Sequence, residues 1–220
     1  MSRTPRHTRP TSAAAVVAAA ALSLAGCTSG DRGDTPPPAP ADAVRLAAVG
    51  DSITQADGDV PAGLLGRASW LSTAATDGVV FAGGWARPGA TTADMLAAVG
   101  PVDADVLVVL AGTNDPGAGL TEAETADNVR GIVEAVGVER VVLSAVPPRD
   151  EAPAVAVATN AALEALAEEE GWTFADSAAG VRSGDRFAPG MATDGLHPSQ
   201  EGAAVIGAAL REAVLETAGA

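Results

Sequence analysis

The chain has 220 residues, enough for one α/β domain of ordinary size plus a tail, or for two small domains with little core apiece. It is apolar (47% Ala, Val, Ile, Leu, Met, Phe, Trp, Tyr and Cys), with three Trp, three Phe and no Tyr, and its 13 cations face 28 acids for a formal net charge of −15. All 13 cations are Arg, which excludes a phosphate loop ending in Gly-Lys-Ser/Thr, a pyridoxal Schiff base and a Ser-x-x-Lys nucleophile pair. So acidic a balance also counts against nucleic-acid binding, which needs a basic face. One Cys and two His cannot supply a four-ligand Cys/His zinc site, and a single Cys cannot close an internal disulfide.

Residues 1–12 carry Arg3, Arg6 and Arg9 with no acid, and Ala13 to Ala25 are all Ala, Val or Leu apart from Ser23. A charged start followed by a short apolar run is the layout of a secretory signal peptide, and the run is shorter than the ~20 residues a membrane span requires. The run ends in Leu24-Ala25-Gly26-Cys27, which resembles the lipobox of bacterial lipoproteins. That resemblance implies cleavage before Cys27, lipidation of Cys27 and anchoring on the outer side of the cell membrane, in the bacterial cell envelope. An ordinary cleaved signal and an uncleaved anchor are the alternatives. Without the leader's three Arg, the remaining ten cations face 28 acids, a net charge of −18 that anionic surfaces repel. A lipid on Cys27 therefore makes a better tether than electrostatics.

Residues 27–43 include three consecutive prolines and almost no large apolar side chain, as in an extended, semi-rigid tether. The folded domain is expected over residues 44–220.

From Val44 onward, apolar runs alternate with helical patterns. Val44–Val49, Val79–Ala82, Asp105–Ala111, Arg140–Ala145 and Trp172–Phe174 read as strands. Thr91–Val99 opens with Thr-x-x-Asp and Thr121–Val136 with Thr-x-x-Glu, both capping-box patterns. Val155–Glu170 stops at Gly171, and Gln200–Thr217, preceded by Ser199 as its cap, closes the chain. Strands apolar throughout, each followed by a helix, predict a parallel sheet covered on both faces. In such folds chemistry sits at the carboxyl ends of the strands.

Four blocks occupy those ends or the start of the last helix: Gly50-Asp51-Ser52-Ile53-Thr54, Arg87-Pro88-Gly89-Ala90-Thr91-Thr92, Gly112-Thr113-Asn114-Asp115, and Asp194-Gly195-Leu196-His197-Pro198. In this order they resemble the blocks of the SGNH hydrolases, the GDSL esterase/lipase family, over about residues 44–215. The first and last blocks are the specific ones; the second is weak alone and lacks the Asn-x-Gly start common in the family. The resemblance implies a three-layer α/β/α sandwich with a five-stranded parallel sheet, flavodoxin-like, and hydrolysis of esters, thioesters or amides.

The residue chemistry agrees. Ser52 is a weak nucleophile until a base takes its proton, and His197 is a suitable base because imidazole titrates near neutrality. Asp194, three residues earlier, can hold one imidazole nitrogen so that the other faces Ser52. By resemblance, the oxyanion hole comprises the backbone N–H groups of Ser52 and Gly89 and the side-chain amide of Asn114. Each residue also has a plainer reading: Ser52 as a helix cap, Asn114, Gly89 and Asp194-Gly195 as turns, His197 as a loop residue ahead of Ser199. Asp51 and Asp115 are expected to stabilise the loops, and Trp85 and Arg87 either line the cleft or serve as a structural Trp and a solvated Arg.

The expectation is a secreted, membrane-anchored serine esterase that needs no metal or organic cofactor and acts as a monomer on a small-molecule or glycan ester. Little chain is left for a lid, so an open site and short acyl groups such as acetyl are expected. A lysophospholipase or thioesterase of the same family and a non-catalytic ligand-binding envelope lipoprotein are the alternatives.

Overall fold

The computed structural model describes residues 42–219. The leader, Cys27 and the tether through residue 41 lie outside the described residues. The chain runs through β1 (Val44–Gly50), α1 (Ser52–Gln55), α2 (Leu71–Ala74), β2 (Val79–Ala86), α3 (Thr92–Leu96), β3 (Val106–Leu110), α4 (Asp115–Ala118) and α5 (Glu122–Val136). It continues through β4 (Val141–Ser144), α6 (Pro153–Glu170), β5 (Thr173–Ala175), the two-residue strands β6 (Arg182–Ser183) and β7 (Arg186–Phe187), and α7 (Gln200–Ala218).

The first five strands form one sheet in the order β2-β1-β3-β4-β5, every pair parallel. This is the flavodoxin-like order, in which the chain leaves β1 first to one side and later to the other. Uniformly apolar strands are explained by the two-residue side-chain period, which feeds two cores at once. Leu46 and Ala48 of β1, Val106, Val108 and Leu110 of β3 and Val142 of β4 pack on one face, against Trp70, Leu71, Ile206, Leu210 and Val214. Ala47, Val49, Leu107, Val109 and Leu143 pack on the other, against Met95, Val129, Ile132, Leu163 and Leu166. The result is the expected three-layer sandwich.

Caps follow the sequence closely. Thr91 with Asp94, and Thr121 with Glu124, form complete capping boxes, and the Ser199 hydroxyl accepts the N–H of Gly202 to start α7. At α1, however, the cap is Asp51, whose carboxylate accepts the Ile53 N–H at 2.9 Å; Ser52 is the first helical residue, leaving its side chain free.

One feature differs from the sequence-based expectation and a second lies where the sequence pattern gives none. First, β2 does not stop at Ala82 but crosses Gly83-Gly84 to Ala86, with a register shift that leaves Ala82 unpaired opposite Leu46 and Ala47. Gly84 has φ +151°, and a Cβ there would stand 1.9 Å from the Ala48 carbonyl oxygen, so the diglycine that resembles a strand terminator instead lets two backbones come together. Second, residues 56–70 form an irregular loop with one 3-10 turn at Val60–Ala62. Its end is tied to α1: the Ser69 hydroxyl donates to the Thr54 carbonyl at 2.6 Å, and the buried Trp70 indole donates to Thr54 Oγ1 at 3.0 Å.

Candidate active site

Ser52 sits where β1 ends, and its Oγ is 3.0 Å from His197 Nε2. His197 lies in the loop before α7, and its Nδ1 is 2.8 Å from Asp194 Oδ2. The other Asp194 oxygen accepts the backbone N–H groups of His197 at 2.7 Å and Leu196 at 3.0 Å. The three-residue spacing is therefore an aspartate-stabilised turn that brings Oδ2 round to the imidazole. With Nδ1–H donated to Asp194, Nε2 keeps a lone pair directed at the Ser52 hydroxyl. His197 and Asp194 side chains are 40% and 54% exposed, so this end of the site is open to solvent.

The loop carrying the pair is held from two sides. The Thr193 N–H donates to the His197 carbonyl at 2.9 Å, and the Asp150 N–H donates to the Gly195 carbonyl at 2.8 Å. Asp150 in turn accepts the Phe187 N–H at 2.9 Å, which joins the β6–β7 hairpin to the assembly. The sequence pattern does not single out Asp150. The available signal is its place in the loop that leaves the carboxyl end of β4, behind Pro147-Pro148-Arg149, because strand ends are where such a sheet builds its site.

Arg87 through Ala90 close a turn, with the Ala90 N–H donating to the Arg87 carbonyl at 3.1 Å. Pro88 followed by Gly89 at φ +74° is the type II arrangement, which requires a left-handed residue at the third position. Asn114 Nδ2 donates to the Ala90 carbonyl at 2.9 Å, and 3.4 Å away stands Asp51 Oδ2. Asn114 occupies the cap position of α4, yet its side chain makes no capping bond and turns toward the second block instead. The buried Asp115 carboxylate fixes this junction, accepting the Thr92 N–H at 2.9 Å, the Thr92 hydroxyl, and the Thr125 hydroxyl at 2.7 Å. Among the described residues, neither the Ser52 N–H nor the Gly89 N–H donates a hydrogen bond within the chain. Both are available to an incoming oxygen.

A cleft of about 390 Å³ opens here, lined by Ser52, Ile53, Ala56, Asp57, Ala68, Pro88, Thr193, His197 and Pro198. The irregular 56–70 loop thus supplies one wall. Trp85 and Arg87 do not line it. Arg87 stacks over the Trp85 ring at 5.4 Å and pairs with Asp94 at 3.1 Å. A separate cavity of about 330 Å³ between α6 and the hairpin includes none of the candidate residues. Among the described residues, no three His, Cys, Asp or Glu side chains gather to hold a metal ion, and no helix is long and apolar enough to cross a membrane.

Two carboxylates here are pushed in opposite directions. The His197 backbone N–H, then the His197 side chain and the Leu196 N–H, pull the half-exposed Asp194 down from 3.8 to about 2, so it is ionised at all ordinary pH. Burial pushes Asp51 up from 3.8 to about 6, against the Ile53 N–H, the Thr113 hydroxyl and the nearby His197, which favour its charge. Chemically, the set comprises a hydroxyl aligned on a base, an ionised carboxylate that stabilises the charged base, and unpaired N–H donors beside them. Such a set can carry out acyl transfer.

The model of the GDSL-like lipase/acylhydrolase family matches residues 48–205. No curated protein matches the chain in sequence. Similar solved structures include a lipolytic G-D-S-L family protein from Veillonella parvula (19% identity, TM-score 0.62, covering 77% of this chain and 97% of that one). A lipase/acylhydrolase from Enterococcus faecalis is similar at 21% identity and TM-score 0.62, covering 80% of this chain and 96% of the other. A variant of an acetylxylan esterase from Geobacillus stearothermophilus is similar at 18% identity and TM-score 0.55, covering 80% and 94%. At these identities the structural likeness speaks to the fold.

Proposed function

The chain belongs to the GDSL-like lipase/acylhydrolase family, and we propose that it is a serine esterase acting on carboxylic esters with short acyl groups. The observation that carries this reading is the hydrogen-bonded series Ser52–His197–Asp194 opening onto a solvent-accessible cleft. Ser52 Oγ attacks the ester carbonyl carbon while its proton passes to His197 Nε2. The carbonyl oxygen becomes an oxyanion, met by the N–H groups of Ser52 and Gly89 and by Asn114 Nδ2. Collapse breaks the bond to the alcohol, which leaves with the proton from His197, and an acyl group remains on Ser52. Water then attacks that acyl group and gives its proton to His197, and the second collapse returns the proton to Ser52 and releases the carboxylic acid. Asp194 stays ionised throughout and stabilises the imidazolium.

The short-acyl preference rests on the open, modest cleft and on an acetylxylan esterase among the similar folds. Export, lipidation at Cys27 and attachment to the outer side of the bacterial cell membrane belong to the same proposal and rest on the sequence of residues 1–43; action as a monomer is proposed with them. The test is hydrolysis of chromogenic acetate and butyrate esters by the purified chain beside its Ser52→Ala variant. The proposal requires turnover that the variant lacks; equal rates would refute it.

A further inference from the structure

Asp51 is the fully buried carboxylate of this site that the acyl-transfer scheme leaves without a task. Its two oxygens are both committed. Oδ1 accepts the Ile53 N–H at 2.9 Å and starts α1; Oδ2 faces Asn114 Nδ2 at 3.4 Å. Among the described residues no Arg forms an ion pair with it. A carboxylate buried without a cation is costly, and a cap alone does not demand one, since Ser, Thr or Asn caps equally well.

The carboxamide of Asn114 needs such a partner. An amide rotated by 180° about its terminal bond exchanges its oxygen for its nitrogen with little change in shape, so only its neighbours decide which atom faces where. Here the nitrogen lies between two acceptors, the Ala90 carbonyl at 2.9 Å and Asp51 Oδ2. Both favour nitrogen over oxygen at this place, and one is fully buried in a surrounding that strengthens electrostatic preference. We infer that Asp51 is a positioning residue for the oxyanion hole: its ionised carboxylate keeps nitrogen, rather than oxygen, on this side of the Asn114 amide. One hydrogen stays on the Ala90 carbonyl and the other, held loosely by Asp51 at 3.4 Å, turns to the oxyanion as it forms. This inference rests on the esterase reading above and deepens it.

Charge is essential to the role, because a carboxylate is acceptor-only. An Asn in its place has one acceptor and one donor-only nitrogen for two donors, Ile53 N–H and Asn114 Nδ2, so one contact becomes donor against donor; a protonated Asp51 retains one strong acceptor, its hydroxyl oxygen accepting only weakly. The groups facing Asp51 are the Ile53 N–H from α1, Thr113 and Asn114 from the segment after β3, and His197 from the loop before α7. Thr113 Oγ1 is the one buried side-chain oxygen or nitrogen among the described residues with no partner at good hydrogen-bond geometry, so it favours the anion less than the Ile53 N–H does. Of these neighbours only His197 is ionisable. Its positive charge favours the Asp51 anion, so removing it moves the Asp51 titration upward.

The test reads Asn114 directly and does not depend on turnover. The chain has three Asn and two Gln, so its side-chain amide NMR signals are few and assignable by substitution. In the full chain the Asn114 amide signals should move with pH with a midpoint near 6. The movement should persist in His197→Ala with a higher midpoint and vanish in Asp51→Asn. Asp51→Asn should also lower kcat by about tenfold to hundredfold with KM little changed, less than the ~10²–10³-fold expected for deleting an oxyanion donor. Asp51→Ser, which retains a cap but offers no carboxylate, should lose kcat likewise while melting near the parent. Asn114 signals that ignore pH, or that follow pH only while His197 is present, would overturn the inference even in an active esterase. A chain that hydrolyses no ester yet shows the Asp51-dependent Asn114 titration would refute the esterase reading and leave the coupling standing.

Discussion

Both oxygens of Asp194 are bonded to His197: Oδ1 accepts the histidine's own backbone N–H at 2.7 Å, and Oδ2 faces its Nδ1 at 2.8 Å. A single carboxylate thus sets the backbone turn and the imidazole orientation together, which is why two residues only three apart can act as a pair. Replacing Asp194 by Asn keeps the shape but offers a donor where an acceptor is needed. Asp194→Asn should reduce kcat by about 10²–10⁴-fold with KM little altered, measured on a chromogenic acetate ester.

The same carboxylate links stability to pH. Its folded value of about 2 lies below its ordinary 3.8, so ionised Asp194 stabilises the fold above pH 3.8, and that contribution is lost as pH falls toward 2. Because the side chain is half exposed, the effect is modest. Asp194→Ala should melt slightly below the parent near neutral pH, and the gap should close in acid. Thermal melts of both proteins across that range check the sign.

Asn114 contributes an amide hydrogen to the proposed oxyanion hole while its backbone starts α4. Asn114→Ala should cost about 10²–10³-fold in kcat and leave the melting temperature nearly unchanged, since the side chain makes no capping bond. A large fall in stability would indicate that the Ala90 contact serves the fold instead.

Gly84 is a packing requirement. A methyl group there meets the Ala48 carbonyl at 1.9 Å and forces an alanine into φ +151°. Gly84→Ala should lose at least ~2 kcal/mol, seen as a drop of about 5 °C or more in Tm.

Cys27 is the proposed lipid attachment point. In a bacterial host supplied with labelled palmitate, the chain should take up label and sediment with membranes, and Cys27→Ser should do neither.

The layer architecture was legible because buried parallel strands are apolar on both faces and their helices carry clear caps; β3 and the two capping boxes are the plainest cases. Ser52, Asn114 and the Asp194–His197 pair were legible because each stands directly at the end of a strand or start of a helix. The continuation of β2 was hidden, since a glycine pair signals termination and close backbone approach equally well. The 56–70 loop and the β6–β7 hairpin were hidden for a different reason: their order comes from tertiary bonds, such as Trp70 to Thr54 and Asp150 to Phe187, that leave no periodic pattern. From the sequence alone Asp51 is a loop stabiliser. It does cap α1, and its distance to Asn114, 63 positions along the chain, is information only the fold supplies.

The central claim is that Ser52 is activated by His197 as a nucleophile. A fluorophosphonate probe reacts covalently with such a serine, and intact-protein and peptide mass spectrometry locates the adduct. The account predicts one adduct, on Ser52, absent from Ser52→Ala and strongly slowed in His197→Ala. An unmodified chain, or an adduct that persists in Ser52→Ala, would contradict it.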